Sequence, residues 1–272
     1  MARTLVVRTV PLFEDNFAYM LETALGGVLV IDPAEPEPML AALEQRSLNA
    51  ILTTHRHADH AAGNVDVAAA YPSCAVLGPL LEAEDIPALT HAVRGGDVLD
   101  ALVPGVRIEV IATGCHTRGH VSYAVQNTED AEDAPHLFCG DTLFVSGCGR
   151  FFEGDGADML AALDAFAPLP DATRVHCGHE YTVSNCSFAA ALEPKFAPAR
   201  SRLVWAKELA ARGEHSVPVT LGEERAVNPF RRVRDGALAA AVAAFDGGRE
   251  RHVDVEDPAA VMSALRRHKD RF

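Results

Sequence analysis

The sequence predicts a mixed α/β domain followed by a smaller, mainly helical domain, with a boundary near residue 180. Short strand-type runs divided by turns fill the first two-thirds of the chain, whereas helix-type patterns with few β-branched runs fill the rest. The 272 residues, 49% of them apolar and 23% charged, are enough for a substantial core in one large or two modest domains. We therefore expect domains at residues 1–180 and 181–272.

Each element has a local signal in the sequence. Runs of apolar and β-branched residues predict strands at 5–10, 17–22, 27–31, 50–53, 106–112, 120–126, 137–139 and 174–176. Helical patterns cover 38–46 and 61–71 in the first domain, and 189–213, 236–245 and 258–269 in the second. The acidic segment 128–135 contains few apolar residues and predicts a solvated loop.

Charge and composition exclude several classes of partner. The formal net charge of −14 argues against nucleic acid and against an anionic membrane surface, because both attract positively charged proteins. The sequence contains neither a signal peptide nor an apolar run of the roughly 18 residues that span a bilayer. We therefore expect a cytoplasmic protein with six reduced cysteines, of which Cys115, Cys139 and Cys177 are expected to be buried beside the candidate site.

The segment Thr54–His60 concentrates metal-binding side chains. His55, His57 and Asp59 are spaced at i, i+2 and i+4, so that in an extended segment they lie on the same face. His60 follows directly, where the predicted helix 61–71 is about to begin. Histidine accounts for only 12 of the 272 residues, so this clustering is not expected by chance. The segment predicts a metal site.

Three further candidate ligands, His116, Asp141 and His179, each follow a predicted strand and lie beside a glycine. The seven side chains exceed what one tetrahedral zinc ion uses, but they suit two ions if one carboxylate is shared. A carboxylate can bridge because both of its oxygens have lone pairs, which favours Asp141 as the bridge. The expected first group is His55, His57 and His116, and the expected second group is Asp59, His60 and His179.

Two ions about 3.5–4 Å apart can deprotonate a water molecule and polarise a carbonyl. The mixed histidine and carboxylate donors suit zinc, iron or manganese. We expect two divalent ions per chain, with zinc preferred and iron or manganese as alternatives. We expect His120 and His176 to lie behind the site. We expect the other histidines at the surface, namely His91, His136, His215, His252 and His268.

The ordered motif T-H-x-H-x-D-H, followed by a lone histidine, a lone aspartate and G-H, resembles the metallo-β-lactamase superfamily. The surrounding segments are similar to glyoxalase II, the hydroxyacylglutathione hydrolases. The similar segments are 114–120, 140–144, 147–151, 177–182, Asn228–Phe230 and 266–270. The last two extend the resemblance beyond the metal motif to nearly the whole chain.

The resemblance implies an αββα metallo-β-lactamase-like sandwich, with the C-terminal helical domain over the mouth of a dinuclear centre. It also implies hydrolysis of S-D-lactoylglutathione to glutathione and D-lactate by a metal-bridging hydroxide, with Asp59 and Asp141 as catalytic residues. The residues implied to bind glutathione are Arg150, Phe152, Tyr181, Arg266 and Lys269. Two of these depart from the family pattern. Many members have lysine at the position of Arg150, and the position of Phe152 is usually tyrosine, whose hydroxyl is missing here.

Three alternatives fit the sequence less well. An iron-dependent persulfide dioxygenase of the same superfamily has little use for the second ligand group. If the protein were a β-lactamase, its basic C-terminal helix would have no obvious role in substrate binding. A non-catalytic metal- or glutathione-binding protein does not need an open dinuclear centre. We expect a monomer whose partner is a small glutathione thioester.

Overall fold

The computed structural model describes residues 5–44, 46–245 and 253–272. Two β-sheets pack face to face, and helices surround them. The first sheet is antiparallel from its first to its third strand and parallel from the third to the sixth. In spatial order, its strands are β1 (Val6–Leu12), β2 (Asn16–Glu22), β3 (Val28–Ile31), β4 (Ala50–Leu52), β5 (Ala75–Pro79) and β6 (His91–Val93).

The second sheet has five strands. In spatial order, they are β13 (Val219–Thr220), β12 (Arg174–Cys177), β9 (His136–Gly140), β8 (Val121–Asn127) and β7 (Val106–Ala112). Strand β8 is antiparallel to both β7 and β9, and β12 is parallel to β9, so β7, β9 and β12 run in one direction. A separate ribbon pairs β10 (Leu143–Phe144) with β11 (Gly147–Cys148). Strand β13 lies C-terminal to residue 180 and pairs with β12 at the edge of the five-stranded sheet.

The helices are α1 (Pro36–Leu43), α2 (Ala58–Ala61), α3 (Asn64–Ala70), α4 (Gly156–Asp164), α5 (Thr182–Leu192), α6 (Ala197–Arg212), α7 (Leu221–Val227), α8 (Gly236–Ala244) and α9 (Pro258–Arg271). Short 3-10 segments lie at Leu80–Glu82 and Pro229–Arg231. Among the described residues, every helix is too short or too polar to cross a membrane.

The core lies between the two sheets. The Tyr123 hydroxyl of the second sheet donates a 2.8 Å hydrogen bond to the Thr53 carbonyl that follows β4. The rings of Tyr19 and Phe138, from opposite sheets, are 5.4 Å apart. Helices α1 and α3 bury a second apolar cluster against the outer face of the first sheet, through Met39, Leu43 and Val67. The predicted α/β class with an αββα sandwich and a C-terminal helical region is confirmed.

Two predicted helices are wrong in their extent. The predicted helix 61–71 is divided into α2 and α3 around Gly63, where the backbone passes so close to Pro33 that a Cβ would lie 1.9 Å from the Pro33 carbonyl oxygen. The predicted helix 189–213 is divided into α5 and α6. Pro194 follows Glu193, whose backbone (φ −122°, ψ 71°) has left the α-helical region that a following proline disfavours.

The expected surface positions of the remaining histidines are partly wrong. His91 and His215 are exposed, but His136 and His268 are almost fully buried. The Nδ1 atom of His136 lies 2.9 Å from Nε2 of His176, and His268 bonds to a backbone carbonyl. His252 lies outside the described residues. Polar neighbours in sequence therefore did not reveal that tertiary packing buries these rings.

Candidate metal centre

The seven candidate ligands meet at one edge of the sandwich. His55 and His57 follow β4, and α2 carries Asp59 and His60. The other three, His116, Asp141 and His179, follow the co-directional strands β7, β9 and β12 of the second sheet. Because these strands run in one direction, the segments after them meet at the same edge. The structure therefore brings together side chains that are separated by up to 124 positions in the sequence.

The first group consists of three imidazole nitrogens. Nε2 of His55 and Nε2 of His116 each lie 3.0 Å from Nδ1 of His57. The three rings meet nearly edge to face, with interplanar angles of 77° to 85°. Three imidazoles that converge in this way have the donor set and arrangement of one side of a tetrahedral metal site. This is the first group expected from the sequence.

The second group contains two imidazoles and one carboxylate. Nε2 of His179 lies 3.5 Å from Oδ2 of Asp59. One ligand atom from each of Asp59, His60 and His179 falls within 4.8 Å of the other two. The Asp59 side chain is the most exposed of the three and faces the cavity.

Asp141 lies between the two groups. Its Oδ2 is 3.4 Å from Nε2 of His116 in the first group and 3.4 Å from Nε2 of His179 in the second. Its Oδ1 is 3.3 Å from Nε2 of His60. A single carboxylate thus reaches both groups, which is the placement that a bridging ligand requires.

Two buried atoms show that the residues fit a cation. Nε2 of His60 and Oδ1 of Asp141 are both buried and lie 3.3 Å apart without the geometry of a hydrogen bond, and neither has a hydrogen-bond partner elsewhere among the described residues. Buried polar atoms without partners are costly, at about 1–3 kcal/mol each. Divalent cations satisfy both kinds of atom, so the chemistry of this donor set fits a dinuclear metal site.

The ring nitrogens that point away from the centre are also bonded. Such bonds fix the tautomer and the orientation of a metal-binding histidine. The partners, all at 3.0 Å, are the Thr54 hydroxyl for His55, the Asp32 carboxylate for His60, the Arg150 carbonyl for His116 and the Asp15 carboxylate for His179. Each of these four rings is therefore held in one orientation by atoms outside the centre.

Asp32 contacts the candidate ligands but was not identified from the sequence. Its backbone adopts the left-handed conformation (φ 49°), which is uncommon for a residue with a Cβ. One carboxylate oxygen accepts from the Thr54 backbone N–H at 2.8 Å, and the other accepts from the Thr54 hydroxyl at 2.7 Å and contacts His60. An available signal was its position at the end of a buried strand, directly before Pro33.

Burial and neighbouring charges set the protonation of the centre. Burial, reinforced by the nearby rings of His60 and His120, lowers the pKa of His55 well below its usual value. Burial also lowers the pKa of His116. Burial opposes ionisation of Asp141, but the adjacent His60 and His179 hold its pKa well below the usual range. Burial opposes protonation of His60 and His179, but the adjacent Asp141 carboxylate raises the pKa of both rings. Metal ions bind the neutral imidazole and the ionised carboxylate, so a cation in the second group would displace protons from these two rings.

The residues just behind the centre pack closely. A Cβ at Gly178 would lie 2.4 Å from Oδ1 of Asp141, so only glycine allows this approach. His120 stacks on His55 with centroids 4.8 Å apart, and its Nε2 accepts from the backbone N–H of Asp141 at 3.2 Å. His120 thus lies behind the ligands, as expected. The three cysteines expected to be buried here are buried free thiols.

A cavity of about 540 Å³ opens beside the centre. His57, Asp59 and Asp141 line its floor. All five residues expected to bind substrate also line it, namely Arg150, Phe152, Tyr181, Arg266 and Lys269. The acidic chain therefore presents a local cluster of cations beside the candidate metal centre.

These five side chains differ in how firmly they are held. The ring of Tyr181 stacks on His179, with centroids 4.7 Å apart. The guanidinium of Arg266 is buried and donates to the Cys148 carbonyl at 2.9 Å and to Asp270 at 3.0 Å. Lys269 donates to the Ser184 hydroxyl at 2.7 Å. Arg150 and Phe152 are largely exposed, and the ring of Phe152 also lies beside His116, with centroids 5.1 Å apart.

The C-terminal segment holds the wall of this cavity. The buried Glu224 carboxylate accepts from the backbone N–H of Ser146 at 2.8 Å. The Asn228 amide donates to the carbonyls of Phe144 and Gly147 at 3.2 and 2.9 Å. Phe144 itself lines the cavity. The sequence analysis identified Asn228 only as part of a motif and did not identify Glu224.

Comparison with known proteins agrees with this geometry. The family model described as metallo-beta-lactamase superfamily matches residues 13–179, and the model described as hydroxyacylglutathione hydrolase C-terminus matches residues 180–272. Among solved structures, a metallo-beta-lactamase from Staphylococcus aureus is 18% identical with a TM-score of 0.64, and the match covers 97% of this chain and 73% of that one. A protein solved in a di-iron-bound form is 25% identical with a TM-score of 0.55, over 83% of this chain and 99% of that one.

Curated relatives match over almost their entire length. A hydroxyacylglutathione hydrolase of Cupriavidus taiwanensis is 41% identical, with 98% of this chain and 99% of that protein covered. A hydroxyacylglutathione hydrolase of Aliivibrio salmonicida is 37% identical, with 98% and 100% covered. With the fold and the composition of the site in agreement, the chain belongs to the hydroxyacylglutathione hydrolase family of the metallo-β-lactamase superfamily.

Proposed function

We propose that this chain hydrolyses the thioester bond of S-D-lactoylglutathione and related 2-hydroxyacylglutathiones, which releases glutathione and the hydroxy acid. The single observation that carries the proposal is the convergence of seven metal donors at the base of a cavity that five of them line and whose mouth is cationic. Membership of a family whose curated relatives are named for this reaction supports it.

We propose that His55, His57 and His116 hold one divalent ion, that Asp59, His60 and His179 hold the second, and that Asp141 contacts both. When bound, such ions supply Lewis acidity that promotes ionisation of water and polarises a carbonyl. The orphaned atoms of His60 and Asp141 support this assignment. We propose zinc as the ion. Iron or manganese are alternatives, since a similar protein has been solved in a di-iron-bound form.

The chain's own residues orient the reactants. Asp59 faces the cavity and is half-exposed, so its carboxylate can accept a hydrogen bond from the attacking water and orient it. Burial raises the pKa of Tyr181 to about 12, so its hydroxyl remains protonated and can donate to the substrate. The leaving group is a thiolate. Because free thiols have a pKa near 8.5, the reaction does not require a strong general acid.

The outer part of the cavity would bind the glutathione moiety. Glutathione carries carboxylates, and Arg150 and Lys269 offer charge-assisted hydrogen bonds to them. Arg266 uses its donors within the protein and would support this wall through Asp270 and the Cys148 carbonyl. The exposed ring of Phe152 would provide apolar contact, without the hydroxyl that a tyrosine would offer.

We also propose the division into domains at residues 1–180 and 181–272, and a monomer in the cytoplasm as the working form. The two family models, which divide at residue 180, support the domain boundary. All candidate site residues come from one chain, and the six free thiols suit a reducing compartment. Light scattering after gel filtration tests the oligomeric state.

The test of the proposed function is hydrolysis of S-D-lactoylglutathione by the purified protein, before and after treatment with a chelator. Turnover that disappears on chelation and returns with added zinc supports the proposal. Oxygen uptake with glutathione persulfide, without hydrolysis, would instead favour an iron-dependent dioxygenase. Tight binding of glutathione without either reaction would indicate a binding protein.

A further inference from the structure

Glu82 links the two loops that carry the first ligand group. It ends the 3-10 segment Leu80–Glu82 and is only 5% exposed. Its Oε2 accepts from the backbone N–H of Arg56, and its Oε1 accepts from the backbone N–H of Gly119, both at 2.8 Å. Arg56 lies between His55 and His57 in the sequence, and Gly119 lies three residues after His116. One buried carboxylate therefore joins both loops.

The backbone at Gly119 is shaped around this carboxylate. A Cβ at that position would lie 2.6 Å from Cγ of Glu82, so a larger residue would displace the glutamate. A second, more exposed carboxylate reinforces the link. Glu153 forms an ion pair with the Arg56 guanidinium and accepts from the backbone N–H of Arg118 at 2.8 Å.

The second ligand group is held differently. Asp59 and His60 lie on α2, where Asp32 bonds to His60 and Asn16 donates to the backbone carbonyl of Asp59. His179 follows β12 and contacts Asp15. The two backbone hydrogen bonds that Glu82 accepts come from the loops of the first group alone. Loss of Glu82 is thus expected to disturb one group more than the other.

We infer that Glu82 is a positioning residue that holds the His55–His57 loop and the His116 loop at the separation required by the first ion. The inference rests on the metal assignment of the proposed function. A buried carboxylate bonded to backbone N–H groups at 2.8 Å forms strong, charge-assisted bonds. Removing such a support is costly because both N–H groups lose their partner in a buried environment.

The test measures the zinc affinity of the metal-free protein by competition with a chromophoric chelator, in two single-site backgrounds. His179→Ala leaves the first group intact, and His116→Ala leaves the second. Adding Glu82→Ala is expected to weaken zinc binding roughly 10- to 100-fold in the His179→Ala background. In the His116→Ala background the change is expected to be less than about threefold, since the second group lacks a direct bond to Glu82.

Asp133→Ala is the matched control. Asp133 is also a buried carboxylate that accepts from a backbone N–H, that of Leu5, and from the Asn127 amide. This control variant should leave the zinc affinity of both backgrounds unchanged. If Glu82→Ala does not fold, Glu82→Gln carries the test, because its amide oxygen keeps one of the two bonds and a smaller loss, still confined to the first group, is expected.

Two results would overturn the inference while leaving the proposed function intact: unchanged affinity in both backgrounds, or an equal loss in both, which would mean general destabilisation. A wild-type protein that binds no zinc, iron or manganese would overturn the metal assignment itself and the inference with it. Selective loss of zinc affinity in a protein without thioesterase activity would uphold the inference and reject the proposed substrate.

Discussion

The two ends of the cavity are built in different ways. At the metal end, His55, His116 and His179 are buried, and each ring is hydrogen-bonded on its far side. At the outer end, the Arg150 side chain is 64% exposed and Phe152 is 59% exposed. The inner end is therefore fixed before substrate arrives, whereas side chains at the outer end can adjust to it. We expect the inner end to govern kcat and the outer end to govern KM.

The largest expected effect comes from removing the carboxylate between the two ligand groups. Asp141→Ala should lower kcat for S-D-lactoylglutathione by at least roughly 10³-fold, because the donor that reaches both groups is lost. Metal analysis of the same sample should show the loss of at least one ion. The control is Asp164→Ala, which removes a surface carboxylate paired with Arg234. Full turnover at normal metal content would refute the assignment of Asp141.

At the outer end, removing a cation should change KM instead. Lys269→Ala should raise KM about 10-fold with little change in kcat, because one charge-assisted hydrogen bond to glutathione is lost. Steady-state kinetics measure both constants. Lys207→Ala, an exposed lysine on α6, is the control. A fall in kcat with unchanged KM would contradict the division between the two ends.

The same lysine predicts a dependence on pH. Burial, together with the nearby charges of Arg266 and Arg150, lowers the pKa of Lys269 to about 8, although Asp270 opposes this shift. The ammonium is therefore present below pH 8 and is lost as the pH rises through 8. KM should be constant below this value and rise above it. Lys269→Arg should remove the rise, because arginine stays protonated over this range. An unchanged rise in that variant would show that another group is responsible.

The smallest expected effect is at Phe152. Phe152→Tyr should lower KM by about 2- to 10-fold, which corresponds to one hydrogen bond of roughly 0.5–1.5 kcal/mol. Phe13→Tyr adds the same hydroxyl at an exposed ring outside the cavity lining and should leave KM unchanged. An unchanged or higher KM in Phe152→Tyr would contradict this prediction, because it would mean that the added hydroxyl finds no hydrogen-bond partner on the substrate.

The same contrast explains what the sequence could predict. The metal end was visible because His55, His57, Asp59 and His60 are close in sequence and because the other donors follow strands beside glycines. The fold class and most strands were predicted correctly from periodicity and turn signals. All seven candidate ligands meet in the structure, but their roles as ligands stay a prediction.

The residues that support the ligands could not be found in this way. Asp15 and Glu82 have other acidic residues close by in sequence and no local signal that distinguishes them, and Asp32 is marked only by its position before Pro33. Tertiary packing brings all three to the metal loops. The burial of His136 was missed for the same reason, because its partner His176 is 40 positions away. Local patterns reveal which side chains are capable of binding metal or substrate. The hydrogen-bond partners of those side chains depend on how distant strands pack.

The most direct test of the account is a titration of the metal-free protein with zinc while hydrolysis of S-D-lactoylglutathione is followed. The dinuclear assignment predicts no turnover without metal and a maximum at two ions per chain. It also predicts that saturating glutathione thioester does not restore activity to the metal-free protein. Full turnover without added metal, or a maximum at one ion per chain, would contradict the dinuclear thioesterase described above.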